Sequence, residues 1–110
     1  MKPKSTQPKK ERAYLYILSH PEGVTENEIL RNVGLSSGRN YPTELERLHG
    51  AHFKRIREPN PDGIGAHYRY KIASKKAAEA ILKAINSIRK RRGESSLKQP
   101  FEAQLLAPFK

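Results

Sequence analysis

The side chains in this sequence best equipped for chemistry are cations, amides and hydroxyls grouped along one short segment. Residues 36–49 carry Tyr41, Leu45 and Leu48 at i, i+4 and i+7, the spacing of a single buried helical stripe. That places Arg39, Asn40, Thr43, Glu44 and Arg47 on the opposite, outward side. Arginine pairs with the guanine edge, asparagine with adenine, and a carboxylate accepts from the cytosine amino group. The outward side therefore holds the donors and acceptors that read bases in a major groove. Ser36 and Ser37 stand just ahead of the helix, where backbone N–H groups and the positive end of the dipole attract phosphate. A solvated helix face is the other reading of the same residues.

A second cationic set crowds two short segments: Lys54, Arg55, Arg57, His67, Arg69 and Lys71. Like charges facing each other weaken a sheet, so phosphate contact accounts for the cluster; protection of a sheet edge is the competing account. The turn between them, Asn60 to Gly65, holds Asp62 and no cation, so the strands rather than the tip are expected to bind. Lys9, Lys10 and Arg12 add a basic arm, and residues 89–92 read Arg-Lys-Arg-Arg. Cations of this kind release counterions from a polyanion and make binding steeply salt dependent, although the second run also suits the negative end of a helix dipole.

Charge and composition narrow the classes. The 110 residues carry 22 Lys and Arg against 11 Asp and Glu, a net charge of +11, which points to an anionic partner. The ends are the most basic, with residues 1–12 and 89–110 each at +4. Cysteine is absent, removing disulfides, thiolate metal sites and thiol nucleophiles. His20, His49, His52 and His67 have no completing carboxylate spacing for a metal. Glu44 and Glu46, at i and i+2, point apart on a helix, and there is no glycine-rich phosphate loop or serine elbow. An enzyme is not expected, nor a cofactor or metal. No apolar run reaches the roughly 18 residues of a membrane span, and no basic-then-apolar leader opens the sequence. A cytoplasmic protein, nucleoid-associated in a bacterium, with no membrane partner is the expectation.

The elements that must position these residues follow from local signals. Tyr14, Leu15, Ile17 and Leu18 define a first helix over 10–19, stopped by Pro21 and Gly23. Thr25 and Glu28 have capping-box spacing ahead of Ile29, Leu30 and Val33, predicting a second helix over 25–33 closed by Gly34. Leu35 is expected to plug the core from the following turn. The third helix begins at 39–41 with Asn40 as a cap, since Pro42 is tolerated only in a first turn, and ends at Gly50. Residues 52–58 and 66–73 flank turn chemistry, with Tyr68, Tyr70 and Ile72 alternating with polar neighbours as in a half-buried strand. Phe53 and Ile56 are three apart, so either one faces away or a bulge intervenes. Ser74 caps a helix over 75–91.

This order, with Thr25-Glu-Asn-Glu-Ile-Leu-Arg-Asn-Val-Gly-Leu-Ser-Ser, then Tyr41…Leu45-Glu-Arg-Leu48, then strand–Pro-Asp-Gly–strand, resembles the winged helix-turn-helix domain of bacterial and phage regulators. The resemblance spans about residues 10–91. It implies an α+β, mostly helical fold with a three-helix core, a two-stranded wing and a C-terminal helix, and a transcriptional regulator that binds double-stranded DNA through its third helix. An RNA- or ribosome-associated protein and a protein-interaction module are the alternative functions.

Around that domain, residues 1–9 read as a flexible basic arm and 92–110 as a flexible tail with an apolar segment at 101–106. Ile81, Ile85 and Ile88 form a near-heptad seam, which suits packing on the first helix or a homodimer that would match a palindromic site. Phe101, Leu105 and Leu106 are suited to docking on the body of the chain or on a protein partner.

Overall fold

The computed structural model describes residues 9–33 and 41–109. In chain order these form α1 (Lys9–Leu18), β1 (Val24–Thr25), α2 (Glu26–Val33), α3 (Tyr41–His49), β2 (Phe53–Pro59), β3 (Ala66–Ile72), α4 (Lys75–Arg91) and α5 (Phe101–Leu106). The described residues thus make an α+β domain of five helices and one antiparallel sheet in the order β1-β3-β2. The expected turn carrying Leu35, Ser36, Ser37, Arg39 and Asn40 lies outside the described residues.

Burial of one apolar stripe per helix sets the arrangement. Tyr14, Ile17 and Leu18 of α1 are buried, as are Ala78, Ile81 and Ile85 of α4, and these two helices pack on each other. Ile29 of α2, Leu45 of α3, Val24 of β1, and Phe53 and Ile72 of the hairpin close the core from the other sides. Two of the expected start signals are made as their residues predict, while the Asn40 cap expected for α3 lies outside the described residues. Thr25 Oγ1 accepts from the Glu28 N–H at 3.1 Å while Glu28 Oε1 accepts from the Thr25 N–H at 3.1 Å, a reciprocal capping box. Ser74 accepts from the Ala77 N–H at 3.1 Å to start α4.

Two glycines are required by geometry. Gly50, at φ +69, ends α3 with its N–H on the Glu46 carbonyl and the Ala51 N–H on the Leu45 carbonyl, bonds that satisfy the last carbonyls of a helix. Gly23, at φ +109, leaves no room for a side chain, because a Cβ there would stand 2.8 Å from Arg69 Cγ.

Several expectations change. β1 was not foreseen: Val24 pairs with Tyr70 and Thr25 with Arg69, a two-residue strand too short for an alternation signal. The β2–β3 register is continuous from Phe53↔Ile72 to Pro59↔Ala66, so there is no bulge between Phe53 and Ile56, which lie on opposite faces. Leu48, expected inside, is 52% exposed, because α3 presents Tyr41 and Leu45 to the core and turns away before its last turn. Residues 92–109 are not a loose tail. The Asn86 side chain accepts from the Leu97 N–H at 2.8 Å and donates to Glu102 at 3.0 Å, and Leu105 of α5 is buried with Leu97, Leu106 and Phe109 packed beside it. Phe101 stays exposed. Ile81 and Ile85 are fully buried within the chain and Ile88 is partly covered, and α4 packs on α1, the first of the two uses expected of that seam.

The basic start of α1 and the basic end of α4 are also partly internal. Glu11, fully buried, accepts from Arg92 Nε at 2.8 Å, Arg92 Nη2 at 3.0 Å and Arg89 Nη1 at 3.2 Å. Arg89 and Arg92 therefore join α4 to α1, while Lys90 and Arg91 are exposed. Among the described residues no helix is long and apolar enough to cross a membrane.

Candidate nucleic-acid interface

Strand alternation divides the hairpin cations between two faces. Residues paired across antiparallel strands share a face, so Arg55 with Tyr70 and Arg57 with Tyr68 form one side. Lys54 with Lys71, Ile56 with Arg69, and Glu58 with His67 form the other. The six cations expected to act together are two patches facing opposite ways.

Carboxylates then take some of those cations out of play. Glu46, on α3, accepts from Arg55 Nη1 at 3.0 Å and Nη2 at 2.5 Å and from the Phe53 N–H at 3.0 Å. This bidentate bridge fastens α3 to the base of the hairpin, and the Arg55 guanidinium also lies 5.2 Å over the Tyr70 ring. The hydrogen bonds from Arg55, against the opposing effect of burial and with help from the Phe53 N–H, hold the Glu46 carboxyl below its ordinary range, and the Arg55 guanidinium is raised in turn. On the other face Arg69 donates to Glu58 at 2.7 Å, to Glu28 at 3.1 and 3.3 Å, and to the Gly23 carbonyl at 3.2 Å. Its hydrogen bonds to Glu58 and Glu28 raise it further. His67 is held between Glu58 at 3.0 Å and Asn60 at 2.8 Å. Arg55, His67 and Arg69, expected on phosphates, are engaged within the chain. Among the described residues, Lys54, Arg57 and Lys71 are exposed and make no ion pair.

On α3 the expected base-reading set is reduced in the same way. Glu44 is only 8% exposed. It accepts from the Tyr14 hydroxyl at 2.6 Å and lies 3.5 Å from Lys10 Nζ. It is an internal acceptor between α1 and α3, and Lys10 is its partner rather than an unengaged phosphate ligand. Thr43 and Arg47 are exposed. Arg12 is half-buried and Lys9 exposed. Arg39, Asn40, Ser36 and Ser37 fall outside the described residues. His49, at the end of α3, packs edge-on against Tyr14 with ring centroids 6.1 Å apart. Burial depresses its pKa against the opposing pull of Glu44.

Among the described residues no group of three or more His, Asp and Glu side chains is placed to hold a metal. Sequence reasoning passed over Glu46, noting only that it and Glu44 point apart on a helix. Its position, two residues after the buried Glu44 and seven before the start of β2, becomes meaningful only when the hairpin folds back beside α3.

A small α+β domain with an exposed helix tied to a basic hairpin is the class these features define. A family model described as "Uncharacterised protein PM1773" matches residues 5–109, and the chain belongs to that family. No curated protein and no solved structure matches it.

Proposed function

We propose that this protein is a sequence-reading, double-stranded DNA-binding protein of the winged helix-turn-helix kind, acting as a transcriptional regulator. One observation carries the reading. The Glu46 bridge holds α3, with Thr43 and Arg47 exposed, beside a hairpin whose adjoining face presents Arg57, exposed and without an ion pair among the described residues. The element order and the β1-β3-β2 sheet are compatible with that fold class. α3 lies in the major groove, with Arg47 at base edges. Arg57, Lys9, Lys90 and Arg91 meet phosphates. Lys54 and Lys71, which stand directly opposite each other, are like charges whose mutual cost an anion between them relieves.

Selection of sites from random duplex DNA at about 0.15 M salt, where non-specific attraction is screened, tests the proposal. An enriched motif is expected. Arg47→Ala relaxes the preference at one position by about 1–3 kcal/mol. Arg57→Ala weakens all duplexes alike and lowers the salt slope by about one. Failure to enrich any motif, with folded RNA retained more tightly than every duplex, refutes the reading in favour of an RNA-associated protein.

A further inference from the structure

β2 is an edge strand with an open outer side. It has β3 on one flank only, and Lys54, Arg55, Ile56 and Arg57 are all exposed. Hydrogen bonds at the ends of the hairpin fix which residues face outward. The Ala73 N–H donates to the His52 carbonyl and the Asn60 N–H to the Gly65 carbonyl, while the Phe53 N–H turns the other way, to Glu46. Main-chain groups of an antiparallel strand alternate in direction, so Lys54, Ile56 and Glu58 bond to β3 while Arg55 and Arg57 point outward. No bulge interrupts the run. Among the described residues, the outward N–H and C=O groups of Arg55 and Arg57 have no partner.

We infer that this edge is an interface between two copies of the chain, which pair β2 with β2 antiparallel about a two-fold axis at Ile56. Outward groups must meet outward groups, which puts the axis at a residue and not between two. An axis at Arg55 or at Arg57 sets that arginine against itself, and like charges directly opposite weaken a sheet. An axis at Ile56 avoids both conflicts. Ile56, 44% exposed, then meets Ile56 of the second copy.

The remaining pairs in that register are complementary. Arg55 and Arg57 exchange both main-chain hydrogen bonds across the interface, and the Arg57 side chain faces an Arg55 whose charge Glu46 already balances. Lys54 meets Glu58, which accepts from His67 and Arg69 with one bond to each oxygen; a carboxylate has acceptor capacity beyond two bonds. Phe53 meets Pro59 at either end. The first has its N–H on Glu46 and the second has none to give, so the ladder stops where its donors stop. Charges on an edge ordinarily prevent pairing; here they permit one register. The axis stands perpendicular to the sheet, so both α3 helices lie on the same side of it. Lys54 and Arg57 also enter the duplex proposal, so the interface is tested without nucleic acid.

The full chain is followed by sedimentation velocity over about a hundredfold range of concentration, and a reversible monomer–dimer equilibrium is expected. Arg57→Pro removes an outward N–H and no β2–β3 bond, so it abolishes the dimer while the monomer stays folded by circular dichroism. Arg57→Ala keeps the N–H and still dimerises. Ile56→Lys, at an exposed position, sets two ammonium groups on the axis and weakens the dimer about tenfold. The register is read by disulfide formation, since the chain has no cysteine. Cα atoms of a non-hydrogen-bonded antiparallel pair stand about 4.5 Å apart, within reach of a disulfide. Ile56→Cys therefore oxidises to a covalent dimer about tenfold faster than Lys54→Cys, whose counterpart is Glu58 and not itself. A monomer at every concentration overturns the inference. So does a dimer that survives either Arg57→Pro or Ile56→Lys, which places the interface elsewhere, and so does equal cross-linking at positions 54 and 56. Failure of the duplex-reading proposal has a different signature: no enriched duplex, whatever the state of association.

Discussion

Removing the Glu11 carboxylate separates the structural from the functional part of the basic run at the end of α4. Glu11 has no exposed surface, and its two oxygens take three hydrogen bonds from Arg89 and Arg92. Glu11→Ala takes the buried anion from two guanidinium groups, of which Arg92 keeps only the more exposed Glu94 at 3.6 Å. Deleting one partner of a buried ion pair costs about 3–5 kcal/mol. The arginine side chains keep 19% and 18% of their surface exposed and turn partly to water, so the lower end, about 3 kcal/mol, applies. For a domain of this size each kcal/mol moves the midpoint by about 4–8 °C, so thermal unfolding falls by about 12 °C or more. Lys90→Ala and Arg91→Ala remove exposed cations and change stability by no more than about 0.5 kcal/mol. Urea titrations followed by far-UV circular dichroism at pH 7 measure all three. The Glu11 effect persists in 0.5 M salt, because buried pairs are poorly screened. A Glu11→Ala protein within about 1 kcal/mol of the parent, or one whose loss disappears in salt, refutes the reasoning.

Three further outcomes are expected. Glu44→Ala destabilises the fold by about 2 kcal/mol through the loss of its charge-assisted bond from the Tyr14 hydroxyl, and leaves DNA sequence preference unchanged; denaturation and site selection on the variant check both halves. Stability declines in acid, because Glu28, Glu46 and Glu58 each titrate below the ordinary carboxylate value of 4.5 in the folded chain. Since the unfolded state binds protons first, the contribution is complete above that value and vanishes as pH falls through the lowered folded values; a flat unfolding midpoint from pH 6 to pH 3 contradicts it. Leu105→Asp places a charge against α4 and releases α5, so limited proteolysis cuts after residue 92 while residues 9–91 stay protected; an unchanged cleavage pattern shows that α5 does not depend on that contact.

Local signals in the sequence were enough to define most elements. The Thr25/Glu28 box, the Ser74 cap, the glycine after α3 and the alternation through Tyr68, Tyr70 and Ile72 each act within a few residues. Such signals do not depend on what lies across the fold, and the helix and strand bounds follow them closely. β1 escaped because two residues cannot display a period, and only the β3 edge makes them a strand.

The availability of each charged side chain was decided by tertiary structure alone. Net charge, the basic ends and the polar side of the third helix are properties of composition and spacing, and the chain states them directly. Which cations face outward depends on carboxylates distant in sequence: Glu11 takes Arg89 and Arg92, Glu46 takes Arg55, and Glu28 with Glu58 takes Arg69. A guanidinium is drawn to the nearest well-oriented carboxylate, and that neighbour is fixed only when helices and hairpin have packed. The same holds for Ile81, Ile85 and Leu105, whose apolar surface the sequence announces but whose covering partner is chosen by the folded shape.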